Sequence, residues 1–132
     1  MLYLLVVDYQ PGAVTTPMEE WTPADIKAHM DYFDELNAEL LKTGEYVGGH
    51  ALTGPQLAKV VTSDGTGPVV TDGPLTGAER MPAGYQLVDV ATEDRAIAIA
   101  ARISAVPGPG GVPMQQPISV RRVISADDFA TL

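Results

Sequence analysis

Histidine and the carboxylates are the side chains in this sequence that can exchange protons near neutral pH. The chain has two histidines, His29 and His50, and no cysteine. The absence of cysteine excludes disulfides, thiolate metal sites and thiol nucleophiles. Histidine changes its charge between about pH 5 and 8, so the chemistry that the residue types favour is acid–base catalysis by a histidine with a carboxylate partner.

His29 lies among apolar residues that recur at helical spacing. At about 100° per residue it falls about 60° from Ile26, between Phe33 and Leu36 on the apolar stripe. Two interpretations remain open. One is a half-buried core histidine with a ring nitrogen bonded to a backbone carbonyl, and the other is a titratable base in a sheltered cleft.

Asp72 follows an extended apolar run and begins the sequence Asp72-Gly73-Pro74. The simpler interpretation is a turn, in which the carboxylate caps nearby amides. Alternatively, an aspartate at the end of a core strand beneath the helix can orient His29 and raise its basicity. The glycine-flanked His50 is interpreted as a surface residue.

Composition and motifs limit the remaining functions. A net charge of −9 argues against binding to nucleic acids or anionic membranes. Two distant histidines give no metal-ligand spacing, and the glycines at 108–111 precede no helix that would cradle a phosphate. We therefore expect no metal and no cofactor, and a cytoplasmic protein without a targeting or membrane segment.

The elements predict a single domain over residues 1–132. Two helices stand out: one is capped by Thr22 and closed by Gly44, and the other begins after Thr92. Strands are expected at 2–9, 56–62, 67–71, 84–90 and 118–124. Residues 45–52 form a short extended stretch weakened by two glycines, and residues 106–117 an irregular surface loop.

The order strand, helix, hairpin, strand, helix, strand predicts an α+β, ferredoxin-like sandwich with a largely antiparallel sheet. Both helices must then lie on one face of the sheet, and the other face is left bare. Because a bare apolar face is a liability in a monomer, we expect a homodimer that closes face to face.

An ordered set of segments resembles the YCII-related family, in particular its branch named for a DGPF motif. The set comprises LYLLVV, HMDYFDEL, TDGPL, AGYQLVDV and a closing strand that ends in RRVI. The resemblance implies a ferredoxin-like dimeric α+β barrel with a histidine–aspartate active centre, which matches His29 and Asp72 here. Gly73, Pro74 and Arg80 are the candidates for substrate contact.

The motif departs from the family pattern in its second half. Leu75 stands where the family usually has Phe, Gly77 replaces an acidic residue, and the closing Lys-Glu is Glu79-Arg80. These changes affect a charged substrate contact and leave His29 and Asp72 intact.

Two functions from different classes follow. One is a small cofactor-free enzyme, lyase- or isomerase-like, in which His29 moves a proton of a small organic substrate and Asp72 orients it. The other is a non-catalytic module of the same fold that binds or senses a small molecule. The residues do not identify the substrate, and they leave open whether catalysis occurs.

Overall fold

The computed structural model describes residues 1–9, 14–73 and 81–130, and it shows the expected α+β, ferredoxin-like fold. Four antiparallel strands form one sheet in the order β2-β5-β1-β6, and β3 and β4 form a separate two-stranded ribbon. The strands are β1 (Leu2–Asp8), β2 (Tyr46–Ala51), β3 (Lys59–Ser63), β4 (Pro68–Asp72), β5 (Pro82–Asp89) and β6 (Ile118–Arg122).

The two helices begin and end where the sequence signals place them. Helix α1 (Pro23–Thr43) is capped by the Thr22 side chain, which accepts a hydrogen bond from the backbone of Asp25, and it ends at Gly44 with φ +79°. Helix α2 (Glu93–Ser104) has the equivalent cap from Thr92. Neither they nor any other helix in the residues covered by the structure is long and apolar enough to cross a membrane.

The main core lies between the helices and one face of the sheet. Alternate residues Tyr3 and Leu5 of β1, and Val88 of β5, point toward the helices because successive strand residues face opposite sides. The buried members of this core are Tyr3, Leu5, Leu36, Leu40, Val88, Val90, Ala96, Ile99, Ala100 and Ile103.

The predicted strand order places the hairpin in the main sheet, and this was wrong. Its two strands pair with each other from Lys59↔Asp72 to Ser63↔Pro68, but neither joins the main sheet. The weaker, glycine-containing segment Tyr46–Ala51 supplies that sheet strand instead. Gly73 N–H donates to Ala58 O at 2.7 Å, which holds the two ends of the ribbon together.

The loop that follows α2 is more than a surface connection. Val106 and Met114 are buried and pack with Trp21 in a second, smaller core beside the N-terminal half of α1. Gly108 permits this packing, because a Cβ there would stand 2.7 Å from the sulfur of Met114. The loop therefore belongs to the framework around His29.

The sheet face opposite the helices, here called the open face, has an apolar centre. Strand pairing places His50, Tyr85, Val6 and Ser119 side by side in one row across the four strands. The next row contains Gly48, Leu87, Leu4 and Arg121. Leu4, Val6, Tyr85 and Leu87 are all partly exposed.

Candidate functional site

His29 lies on the buried stripe of α1, as its helical position predicts. Leu36 and Leu40 share that stripe, and His29 itself is 9% exposed. Its ring meets Trp21 and Phe33 edge to face, with centroid distances of 5.4 and 5.3 Å. Aromatic side chains thus flank the imidazole on two sides and restrict its rotation.

A backbone carbonyl fixes the tautomer of this ring. His29 Nδ1 lies 2.9 Å from Pro107 O, and because a carbonyl can only accept, Nδ1 carries the hydrogen. The neutral ring then has its lone pair on Nε2. Within the residues that the structure covers, His29 Nε2 makes no hydrogen bond.

The electrostatics favour the neutral imidazole. Burial lowers the pKa of His29 from its ordinary value of 6.5, and the hydrogen bond to Pro107 opposes this effect without overcoming it. The ring is therefore unprotonated at neutral pH. An unprotonated, oriented Nε2 with a free lone pair can accept a proton.

Local interactions hold the surroundings of the ring in place. Trp21 Nε1 donates to Thr16 O at 2.9 Å, and the backbone N–H of Gly110 donates to the Asp25 carboxylate at 3.3 Å. The first bond lies within the segment that precedes α1, and the second connects the loop after α2 to α1. Trp21 packs against the His29 ring, and Pro107 bonds it. Their positions thus depend on the fold as well as on the sequence next to His29.

Asp72 lies in a different environment. It ends β4, its side chain is 84% exposed, and it forms an ion pair with Lys59 across the ribbon. The expectation that its strand ends beneath α1 was wrong, because β4 is outside the main sheet. No hydrogen bond or ion pair joins Asp72 to His29, and His29 has the Pro107 carbonyl as its partner.

The other candidates for substrate contact divide in two groups. Gly73 donates its N–H to Ala58 and closes the base of the ribbon. Pro74 and Arg80 lie outside the described residues. His50 is exposed on the open face and contacts Tyr85 edge to face at 6.0 Å.

Two neighbours of His29 escaped the sequence argument. The sequence does not reveal that Trp21 packs against the imidazole, and no side-chain pattern reveals that the carbonyl of Pro107 would bond it. Among residues 1–9, 14–73 and 81–130, no three metal-ligating side chains form a group that could hold a metal ion.

Comparison with known proteins gives one family. A family model described as the YCII-related domain matches residues 1–113 of the 132. No curated protein matches the chain. The match spans the aromatic-flanked histidine, the ribbon and both helices.

Proposed function

The chain belongs to the YCII-related domain family, and we propose that it transfers protons without a cofactor, with His29 Nε2 as the base. One observation carries the proposal. The bond from Nδ1–H to Pro107 O selects the tautomer whose lone pair is on Nε2, the nitrogen that makes no hydrogen bond among the described residues. The carbonyl thus does the orienting that a carboxylate does in other histidine bases.

The reaction begins with a substrate C–H next to a carbonyl, or with a phenolic O–H. Nε2 takes the proton, the ring becomes an imidazolium, and the electron pair left on the substrate is delocalised as an enolate or phenolate. Return of the proton at another carbon gives isomerisation, whereas departure of an anionic group gives elimination. The uncharged resting base suits both outcomes, since no proton must leave it first.

Two finer assignments belong to this proposal. The first is membership in the DGPF branch, which the Asp72-Gly73-Pro74 sequence supports. The second is a role for Asp72 beside His29 as the second residue of the active centre. In the structure Asp72 is paired with Lys59, so a role beside His29 requires that ion pair to open. The base assignment for His29 stands on Pro107 and does not depend on this step.

We also propose that two chains associate through the open face into a homodimer. Leu4, Val6 and Leu87 form its apolar centre, and Arg121 and His50 lie toward its margins, which is the distribution typical of interface surfaces. Leu87→Lys should therefore lower the mass measured by light scattering. Leu41→Lys, a matched change at an exposed leucine of α1, should not.

A non-catalytic binding module is the second candidate function. It is favoured by the absence of any hydrogen bond between a carboxylate and His29 in the parts of the chain that the structure covers. In that case the aromatic side chains around His29 would hold a small molecule, and no proton would be transferred.

Deuterium exchange separates the two functions. The protein is incubated in D2O with acetophenone, which is uncharged, or phenylpyruvate, which is anionic, and NMR follows deuterium entry beside the carbonyl. His29→Asn keeps an N–H donor near the position of Nδ1 but removes Nε2, so it should slow exchange by about 100-fold or more. His50→Asn is the control and should leave the rate unchanged.

Either result is informative. Exchange by the unaltered protein that is no faster than exchange by His29→Asn on both probes would contradict catalysis on this substrate class. A shift of the His29 ring signals on addition of a probe, without exchange, would favour the binding module.

A further inference from the structure

Among the described residues, β6 is an edge strand of the main sheet, with β1 as its one strand neighbour. Asp8 N–H donates to Pro117 O and Val123 N–H donates to Leu2 O, which identifies the hydrogen-bonded pairs between β1 and β6. Pairs alternate along an antiparallel ladder. The N–H and C=O groups of Ile118, Val120 and Arg122 therefore point away from β1, toward the outside of the sheet.

An apolar groove of about 230 Å³ runs along this edge, between β6 and α2. Its lining residues are Ile97, Ala100, Ala101, Ser104, Ile118 and Val120. Ile97 is 51% exposed although it is a large apolar residue. The edge thus combines unused backbone hydrogen-bonding groups with exposed apolar surface, which are the two parts of a strand-binding site.

The opposite edge of the same sheet is different. Strand β2 has a register shift between Tyr46 and Gly48, and it contains two consecutive glycines, Gly48 and Gly49. Bulges and glycines twist and weaken an edge, so they disfavour pairing with another strand. Strand β6 pairs with β1 in unbroken register from Ile118 to Arg122.

We propose that β6 pairs with β6 of a second copy of this chain, antiparallel about a twofold axis at Val120. In this register Val120 faces Val120 of the second copy and Ile118 faces Arg122, so every outward N–H meets an outward C=O. Arg121 faces Ser119 of the second copy. No arginine lies opposite another arginine, which removes the like-charge repulsion that a shifted register would create.

The position of α2 also allows its two copies to pack about the same twofold axis. Helix α2 packs on both β1 and β6, so its axis lies about one strand spacing, roughly 5 Å, from the proposed twofold. Two copies of α2 would then lie about 10 Å apart, within the range at which helices pack. A second copy of the chain would thus provide both strand pairing with β6 and helix packing against α2. An isolated peptide strand would provide only the strand pairing.

The contacts between the two helices are also complementary. Asp94, Ile97, Ala101 and Ser104 recur on one side of α2 at helical spacing. In an antiparallel pair, Ile97 faces the small Ala101 of the second copy. Arg122 of the second copy, opposite Ile118, approaches the C-terminal end of α2, where the helix dipole favours a positive charge.

Cross-linking tests the register directly, because the chain has no cysteine of its own. Val120→Cys places one thiol at the axis, with Cα atoms about 5.5 Å apart, within the range of a disulfide. Mild oxidation should give a disulfide-linked dimer on a denaturing gel. Leu41→Cys, at a residue 62% exposed on α1, is the collision control and should link much more slowly.

Light scattering gives an independent measurement. Ile97→Glu should lower the assembly mass by a factor of two at equal concentration, and Leu41→Glu, at an exposed leucine of α1, should leave it unchanged. Linking of Val120→Cys no faster than of Leu41→Cys would overturn the proposal, as would an unchanged mass for Ile97→Glu. Circular dichroism of each variant confirms that it is folded.

The test also separates this edge from the open face. Val120 points toward the helices, so a dimer through the open face does not bring two Val120 side chains together. Failure of the Val120→Cys link therefore counts against pairing through β6 and leaves the proposal for His29 untouched.

Discussion

The surroundings of His29 and the ribbon that carries Asp72 are built in opposite ways. His29 is 9% exposed, between two aromatic rings and a backbone carbonyl. In the ribbon, Val61 and Val70 are 58% and 55% exposed, and the main side-chain interaction of Asp72 is an ion pair with Lys59. His29 is enclosed by the fold, and Asp72 is largely in contact with water.

This difference shows what makes a proton carrier usable. Burial holds His29 neutral, and a fixed hydrogen bond selects its tautomer. The ion pair between Asp72 and Lys59 is exposed, and it contributes little to stability because solvent screens it. Four experiments test whether the two regions are as unlike as the structure indicates.

Loss of a large side chain should affect the two regions most unequally. Trp21→Ala removes a ring that is 7% exposed, and we expect it to lower the free energy of unfolding by about 3–5 kcal/mol. Val70→Ala in the ribbon should lower it by about 0.5 kcal/mol or less. Urea unfolding measures both, and similar losses would contradict the comparison.

Stability should depend on pH through His29 in a defined window. The pKa of His29 is lowered in the folded protein, so the unfolded chain binds the proton more tightly. The contribution of His29 to the free energy of unfolding is complete above pH 6.5, which is the ordinary pKa of histidine. It is lost as the pH falls from 6.5 through the lowered pKa of His29 in the folded protein. His29→Asn should remove this loss.

The measurement is urea unfolding at about pH 7.5 and about pH 5.5, with His50→Asn as the control. Glu45 begins to lose its own contribution at lower pH, since Arg95 lowers its pKa from 4.5. If the free energy of unfolding falls by the same amount between the two pH values in His29→Asn and in the unaltered protein, the assignment of this pH dependence to His29 is refuted.

Removal of the Asp72 charge should leave the titration of His29 unchanged. In Asp72→Asn the carboxylate that pairs with Lys59 is gone, while the bond from His29 to Pro107 is intact. NMR of the His29 ring gives the pKa in both proteins, and His50→Asn assigns the signals. A lowered pKa in Asp72→Asn would instead show that the two residues do interact.

The smallest effect is expected for the ion pair itself. Lys59→Ala should change the free energy of unfolding by less than about 1 kcal/mol, because the two side chains are 62% and 84% exposed. High salt should reduce even this difference. A larger loss in urea unfolding would mean that the ribbon has a supporting contact beyond its own two strands.

Local features were predictable from the sequence and long-range ones were not. The caps at Thr22 and Thr92, the glycine that ends α1 and the buried side of α1 follow from residue types and helical periodicity. The hairpin was also recognised, since a Ser-Asp-Gly-Thr turn separates two β-rich runs. These features depend on neighbours along the chain.

The candidate site depended on distant partners. Pro107 is 78 positions from His29, and it acts through a main-chain oxygen that any residue type would provide. Pairing with β5 decided that Tyr46–Ala51, and not the hairpin, joined the main sheet. Residue propensity favoured the hairpin, because Gly48 and Gly49 weaken the Tyr46–Ala51 segment. The position of Asp72 was then misjudged for the same reason.

The hydrogen bond between Ala58 and Gly73 has a consequence for the architecture of the chain. Because the two ends of the ribbon meet there, the intervening 59–72 segment can be shortened to a tight turn, or lengthened, without moving the residues on either side. Chain length at this point is uncoupled from the geometry of the sheet, and the entropy of a longer excursion rises only slowly with its length. The position is therefore a natural graft point, where a foreign peptide can be displayed while the histidine and its aromatic neighbours stay in place.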